Sequence, residues 1–211
     1  MENTPPAAQP LFAEKLFGKY EWNVEVQDPS LAPFINIRPI RYPHTFARHA
    51  NKQFAKSKVN LVERLANKLM RGGTGEKLGG KVIHTKGRLQ GRKTKALRII
   101  QDAFEIVQKK TGLNPIQLLV KAVENSAPRE DVTRVRFGGI SYQVAVDVSA
   151  QRRLDLALRN MSLAAITQSF NNKTTLAEAL ANELELAGKN SPDSFSVKRR
   201  NENERMAKSA R

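Results

Sequence analysis

The chain has no cysteine among its 211 residues. This absence excludes disulfide bonds and thiolate metal sites, and it is compatible with a reducing compartment. No apolar run approaches the ~20 residues of a membrane-spanning helix, and residues 1–9 lack the basic and apolar regions of a secretory signal. We therefore expect a cytoplasmic protein with no membrane partner.

Residue types that carry catalysis are scarce as well. The three histidines, His44, His49 and His84, lie in irregular or glycine-rich segments and at no regular metal-ligand spacing. The glycine-rich stretch 72–80 does not continue into the Lys-Ser/Thr of a phosphate-binding loop, and no strand is predicted before it. The sequence thus predicts a protein that is not an enzyme and that holds no metal and no cofactor.

Acidic residues are almost absent from the middle of the chain. Residues 34–100 carry seventeen Lys and Arg against only Glu63 and Glu76, and they hold nearly all of the formal net charge of +16. Such an excess predicts a polyanionic partner that neutralises it. A solvated linker is the alternative for the acid-free run 77–98, although linkers that serve only solubility usually contain acids too.

Hydrophobic periodicity predicts six helices. The first has a leucine at every fourth position and cations on its other side. Asn114 and Pro115 are typical of a helix start, and Thr175 with Glu178 fits a capping box. The predicted helices cover residues 58–70, 93–111, about 115–126, about 150–168, 175–188 and about 197–210.

Residues 131–148 alternate with the period of a strand instead. A two-residue turn at Gly138 and Gly139 pairs Phe137 with Ile140, Val135 with Tyr142, and Arg134 with Gln143. This register places apolar residues on one face and arginines on the other. Tyr142 belongs to the apolar set, which favours packing over stacking on a base. Because an isolated hairpin is marginal in water, we expect support from the helices, from a partner, or from both.

The expected fold class is therefore mainly α, a bundle of about six helices with one long β-hairpin inserted between helices three and four. Residues 1–57 are expected to form an irregular N-terminal extension that is partly disordered on its own. Residues 58–211 form the helical domain, which contains a basic insertion at 74–92 and the hairpin at 131–148. The glycine-rich residues 72–92 are predicted to be a loop.

Arginines cluster where the hairpin meets the fourth helix. Arg152 and Arg153 lie in the first turn of that helix, and Arg159 follows on the face of Arg152. Together with Arg134 and Arg136 of the hairpin, they form a patch suited to bidentate contacts with backbone phosphates.

Charge alone does not separate RNA from DNA as the partner. A helical DNA-binding protein would also be basic, but no short helix–turn–helix stands out as a groove reader. The cations are spread over loops, a hairpin and several helices, which suits an irregular folded RNA better than a regular duplex. RNA binding is the leading hypothesis, and a DNA-binding or chromatin-type protein is the alternative.

Several long motifs occur in order along about residues 58–211. They are LVERLANKLMRGG (61–73), FEIVQKKTGLNP (104–115), AVENSAPRE (122–130), GGISYQV (138–144), VDVS (146–149), QRRLDLALR (151–159) and ERMAKSAR (204–211). Together they resemble ribosomal protein seven of the bacterial small subunit, which is number five in eukaryotes. The long N-terminal arm and the basic insertion resemble the archaeal or eukaryotic branch, of which the archaeal fits better. Ala150 and Asn160 depart from the usual Pro and the bacterial Trp.

The resemblance implies a structural protein of cytoplasmic ribosomes that binds small-subunit ribosomal RNA and nucleates assembly of the head. It also implies neighbouring head proteins as partners, with a hairpin near the transfer RNA exit site and the messenger RNA path. With the basic middle stretch added, the RNA-binding candidates are Lys58, Arg64, Lys68, Arg71, Lys77, Lys81, Lys86, Arg88, Arg92, Lys93, Lys95, Arg134, Arg136, Gly138, Gly139, Tyr142, Arg152, Arg153 and Arg159.

Overall fold

The computed structural model describes residues 15–72, 74–78, 81–84 and 87–211, with the side chains of 74–78, 81, 82 and 84 left out. Over this part of the chain the fold is mainly α, with six helices and a hairpin between the third and fourth, as expected. The elements are α1 Leu61–Leu69, β1 Thr74–Leu78, β2 Lys81–His84, α2 Lys93–Thr111, α3 Pro115–Ser126, β3 Glu130–Phe137, β4 Ile140–Asp147, α4 Ala150–Ser169, α5 Leu176–Gly188 and α6 Phe195–Ser209.

The core is arranged around α5, which packs against α2, α3 and α4. Leu180 and Leu184 of its apolar stripe have no exposed surface. Phe104 of α2 and Leu158 of α4 are equally buried against the same cluster. Each fully buried side chain of this kind contributes about 1.5–3 kcal/mol, so this cluster stabilises the bundle to which the elements at its edges attach.

Local capping explains where these helices begin. Asn114 accepts a hydrogen bond from the Ile116 N–H at the start of α3, and Thr175 and Glu178 form the expected capping box of α5. Two helices begin at residues other than those that the periodicity predicts. Helix α1 begins after the capping residue Asn60, and α6 begins after the capping residue Ser194. In both cases the cap, which satisfies free N–H groups, decides the boundary.

The prediction of a loop for residues 72–92 is wrong in part, because β1 and β2 form a short antiparallel hairpin there. Gly72 lies just after α1 and has a packing role. A Cβ at Gly72 would lie 1.8 Å from the Ile166 side chain, so glycine allows the end of α1 to approach α4.

The N-terminal segment, residues 15–58, packs on the bundle without forming an α-helix or a strand of its own. It contains short 3-10 turns and buries Leu16, Tyr20 and Leu31 in the main core. Glu124 of α3 accepts hydrogen bonds from the N–H groups of Gln27 at 2.6 Å and Asp28 at 3.0 Å. Residues 1–14, including the expected tail, lie outside the described residues.

The β3–β4 hairpin has the predicted register, with Phe137 opposite Ile140 and Arg134 opposite Gln143. Gly138 and Gly139 have φ of +57° and +82°, as a type I′ turn requires. The base of the hairpin is held by α6, which packs against β3, and by Arg211, just after α6, which pairs with Glu130. The strands beyond the base are exposed, so the helices support only one end of the hairpin.

Candidate nucleic-acid interface

A groove of about 580 Å³ lies between the N-terminal segment and the helical bundle. One wall comes from side chains between residues 44 and 59, and the other comes from α1, the start of α2 and one residue of α4. We call it the basic groove. Five cationic side chains and one carboxylate line it: Lys56, Arg64, Lys68, Arg71, Lys93 and Asp155.

Asp155 is the centre of an ion-pair network in the basic groove. Its carboxylate contacts Lys56, Arg64 Nη2 at 3.2 Å and Lys68 Nζ at 3.4 Å. Burial alone would raise the pKa of Asp155, but the hydrogen bond from Lys56 and the charges of Lys68 and Arg64 outweigh it and hold the pKa below its ordinary value. Because three cations share one carboxylate, the network keeps a net positive charge.

The charged form of Lys68 is disfavoured in this network. Burial lowers the pKa of the Lys68 ammonium, and the charges of Lys56 and Arg71 act in the same direction against the pull of Asp155. A phosphate placed in the basic groove would favour the charged form of Lys68. The electrostatics therefore favour an anionic ligand at this position.

Glu63 fixes the other end of the basic groove. Its Oε1 accepts hydrogen bonds from the Thr45 N–H at 2.9 Å and the Thr45 hydroxyl at 2.7 Å, and it pairs with Lys93. Burial opposes ionisation of Glu63, but Lys93 and Thr45 lower its pKa below the ordinary value. This carboxylate thus ties the N-terminal segment and the start of α2 to α1.

Acid should loosen this attachment. The pKa values of Asp155 and Glu63 are lowered in the folded state, so both groups add stability above their ordinary pKa values that is lost as the pH falls through the lowered ones. We expect Tm to change little between about pH 7 and pH 5. It should decrease once the pH is lower than about 4. Asp155→Asn should lower Tm at neutral pH and reduce the further loss in acid. An undiminished acid loss in that variant would contradict this account.

The face of α4 that carries Asp155 continues the cationic surface. Arg152, Asp155 and Arg159 are three and four residues apart and so share one face of the helix. Arg152 and Arg159 are exposed. Arg152 Nη2 lies 3.6 Å from Asp131 at the base of the β3–β4 hairpin. This face therefore joins the basic groove to the hairpin.

Arg153 has a different position from the one expected. It is 7% exposed, and its guanidinium donates to the Pro128 carbonyl at 3.2 Å, to Ser30, and to Asp28 at 2.9 Å. These bonds connect α4 to the N-terminal segment and to Pro128 in the connection after α3. Because each of its three guanidinium nitrogens is bonded inside the fold, Arg153 stabilises the packing of α4 and does not belong to the candidate interface.

The β3–β4 hairpin presents two faces to solvent. Arg134 and Arg136 lie on the polar face and are exposed. Val135, Phe137 and Tyr142 lie on the apolar face, where Phe137 is 80% and Tyr142 51% exposed. Tyr142 therefore lies where we expected it, on the apolar face, but half of it remains open to a partner.

The remaining candidates are distributed around the N-terminal half of the bundle. Arg88 and Lys95 line a second groove, of about 730 Å³, with apolar residues such as Ile99. Lys58 and Arg92 are exposed outside both grooves. The side chains of Lys77 and Lys81, and all of Lys86, lie outside the described residues. The structure thus brings together Arg64, Lys68, Arg71 and Lys93 in the basic groove. It also adds Lys56, which was not among the predicted candidates because it lies in a segment without regular periodicity.

Among the described residues, no group of three or more His, Asp or Glu side chains is arranged to hold a metal ion. Among the same residues, no helix is long and apolar enough to cross a membrane. His44 and His49 instead line the basic groove.

A mainly helical, strongly basic protein with a cationic groove and a projecting hairpin belongs to the class of nucleic-acid-binding structural proteins. Comparison with known proteins narrows this class. Residues 36–211 match the family described as ribosomal protein S7p/S5e. The chain is also 47% identical over 196 residues to the small ribosomal subunit protein uS7 of Methanothermobacter thermautotrophicus, covering 92% of this chain and 98% of the relative.

The chain belongs to the S7p/S5e family of ribosomal proteins, and its similarity is to an archaeal member. It is therefore an RNA-binding ribosomal protein of the small subunit that acts in translation, in the ribosomes of the cytoplasm. A match over 92% of the chain must also include much of the segment before residue 58. The N-terminal segment that forms one wall of the basic groove is thus largely within the region shared with that relative.

Proposed function

We propose that the protein is a primary binder of small-subunit ribosomal RNA and that its docking nucleates assembly of the head. The observation that carries this proposal is the basic groove, whose five cations outnumber the two carboxylates that pair with them, Asp155 and Glu63. Lysines and arginines arranged in this way neutralise closely spaced phosphates and position a folded RNA without reading its sequence.

The α4 face and the hairpin extend this function along the molecule. Arg152 and Arg159 continue the cationic surface, and Arg134 and Arg136 add to it on the hairpin. We propose that the hairpin reaches the transfer RNA exit site and the messenger RNA path. Its apolar face, with Phe137 at the tip, favours contacts with neighbouring head proteins, since large exposed apolar patches mark such sites.

The proposal is tested by measuring Kd for a head fragment of the ribosomal RNA and for duplex DNA of equal length over a series of salt concentrations. We expect tighter binding to the RNA at every salt concentration, with a steep salt dependence for both. Equal affinity for the two nucleic acids would reject a specific ribosomal RNA site and favour the DNA-binding alternative.

Shortening the hairpin should separate docking from its second role. Replacing residues 134–143 with Asn-Gly joins Thr133 to Val144, which are cross-strand partners, through a turn of the same length. The cations of the groove and α4 remain, so we expect RNA affinity within about threefold of wild type and altered transfer RNA retention at the exit site in reconstituted subunits.

A matched variant, Arg134→Gln with Arg136→Gln, keeps the hairpin and removes only its charge. If the shortened protein no longer binds the RNA fragment, the hairpin is a primary anchor and the division of roles is wrong. If both proteins retain transfer RNA as wild type does, the exit-site role is wrong.

A further inference from the structure

One wall of the basic groove carries an exposed aromatic platform. Phe46 is 74% exposed, although a phenylalanine ring normally leaves water. The His44 ring lies 4.1 Å from the Phe46 ring, centroid to centroid, and His44 Nδ1 accepts a hydrogen bond from the Phe46 N–H at 3.1 Å. The two rings are therefore held together beside the cations with one surface open.

The backbone beneath this platform is strained. Phe46 and Ala47 have φ of +51° and +59°, in the left-handed region that side chains other than glycine rarely adopt. Thr45 is fixed at the same turn by its two hydrogen bonds to Glu63. Strain of this kind persists where the surrounding contacts determine it, and it is concentrated at ligand sites.

The opposite wall contains a buried polar group with no partner. Arg64 is 3% exposed and lines the groove, yet its Nε has no hydrogen-bond acceptor among the described residues. Buried N–H groups of native proteins are nearly always paired. Asn67 also lines this wall and supplies an amide that can both donate and accept. The groove is thus equipped with a ring, polar edges and cations.

We propose that the basic groove holds one unstacked nucleotide of the RNA, with its base on the Phe46 ring and its phosphate between Lys56, Lys68 and Arg71. This inference rests on the proposed RNA-binding function and names what that site recognises. A volume of about 580 Å³ suits a single nucleotide and not a stacked pair of strands. Bases within a duplex have both faces covered, so the ligand is a bulged or single-stranded position, the kind of RNA that aromatic side chains recognise.

The test compares two phenylalanines of the N-terminal segment. Phe46→Ala removes the platform, whereas Phe54→Ala removes a ring that is also exposed, at 72%, and also has positive φ, but does not line the groove. We expect Phe46→Ala to weaken binding to the head RNA fragment about tenfold or more with an unchanged salt slope, because stacking is not ionic. Phe54→Ala should bind as wild type does, and Phe46→Tyr should retain most of the affinity.

Chemical probing of the bases in the same RNA provides a second readout. One unpaired base should be protected in the wild-type complex and reactive in the Phe46→Ala complex, with equal thermal unfolding of both proteins. Adenosine monophosphate, as a free nucleotide, should compete only at high concentration because it lacks the neighbouring phosphates. If adenosine monophosphate competes at low concentration, the groove is a site for a small molecule and the proposed RNA nucleotide site is wrong.

The outcomes separate this inference from the proposed function. If wild type binds the RNA fragment specifically and Phe46→Ala is within twofold of it, the nucleotide site is wrong and ribosomal RNA binding stands. If Phe54→Ala weakens binding equally, the effect is a general one of the segment and the assignment to Phe46 is wrong. If wild type itself does not prefer this RNA to duplex DNA, both proposals are wrong.

Discussion

Arg153→Ala should lower the free energy of unfolding by about 3 kcal/mol, because removing one partner of a buried ion pair leaves the other uncompensated. Three acceptors, the Pro128 carbonyl, Ser30 and Asp28, lose their donor together. Asp28 is about one fifth exposed, which keeps the loss near the lower end of the usual range. For a chain of this length, Tm should fall by about 6–12 °C. Thermal and urea unfolding measure the effect.

The neighbouring arginine provides the control. Arg152→Ala removes the same side chain from the same helical turn, but Arg152 is 65% exposed and 3.6 Å from Asp131. Such surface pairs are worth little, so its stability should change by less than about 0.5 kcal/mol. RNA affinity should respond in the opposite way, with a loss for Arg152→Ala and none for folded Arg153→Ala. Equal destabilisation by the two variants would show that the buried contacts of Arg153 are not important for stability.

These two adjacent arginines show where sequence reasoning stops. The α4 periodicity correctly separates Leu154 and Leu158, which are buried, from Arg152 and Arg159, which are exposed. Arg153 lies to the side of the apolar stripe, and the helix alone leaves it accessible. Arg153 is buried because the segment around Asp28 covers it. No local signal in that segment predicts that the segment crosses α4.

Two helix starts, those of α3 and α5, were predictable for the opposite reason. Asn114, just before Pro115, and Thr175 with Glu178 satisfy N–H groups two or three residues away, so the cause and its effect lie in the same short stretch. The register of the β3–β4 hairpin is equally local, since the positive φ of Gly138 and Gly139 fixes every pair that follows. Features of this kind can be read from sequence without knowledge of the tertiary fold.

The basic groove depends on contacts between distant parts of the chain. The sequence indicated Arg64, Lys68 and Lys93 as cations but could not show that Lys56 joins them. The link is Asp155, which lies 99 positions after Lys56 in the chain, so no local spacing connects the two. A carboxylate surrounded by cations gathers them into one site, and this arrangement appears only when α1, α4 and the N-terminal segment are packed together.

Lys68→Gln combined with Arg71→Gln should weaken binding to the head RNA fragment about 30-fold at physiological salt, since about 1 kcal/mol is lost for each charged contact. Lys56 and Arg64 still pair with Asp155 in this variant, so the fold is retained. Each lost phosphate contact should also reduce the salt slope by about one unit. Kd measured at several salt concentrations gives both quantities.

Lys109→Gln combined with Lys110→Gln is the matched control, because it removes the same charge from exposed positions at the other end of α2. Sixteen residues of helix place Lys109 about 24 Å from Lys93 and the basic groove. If net charge alone governed binding, both pairs would weaken it equally and both would lower the salt slope. Because a phosphate contact requires a cation at its position, we expect the control to keep wild-type affinity within about threefold. If the two double variants lose equal affinity for the RNA, the protein has no defined RNA site and is attracted to any polyanion by its net charge.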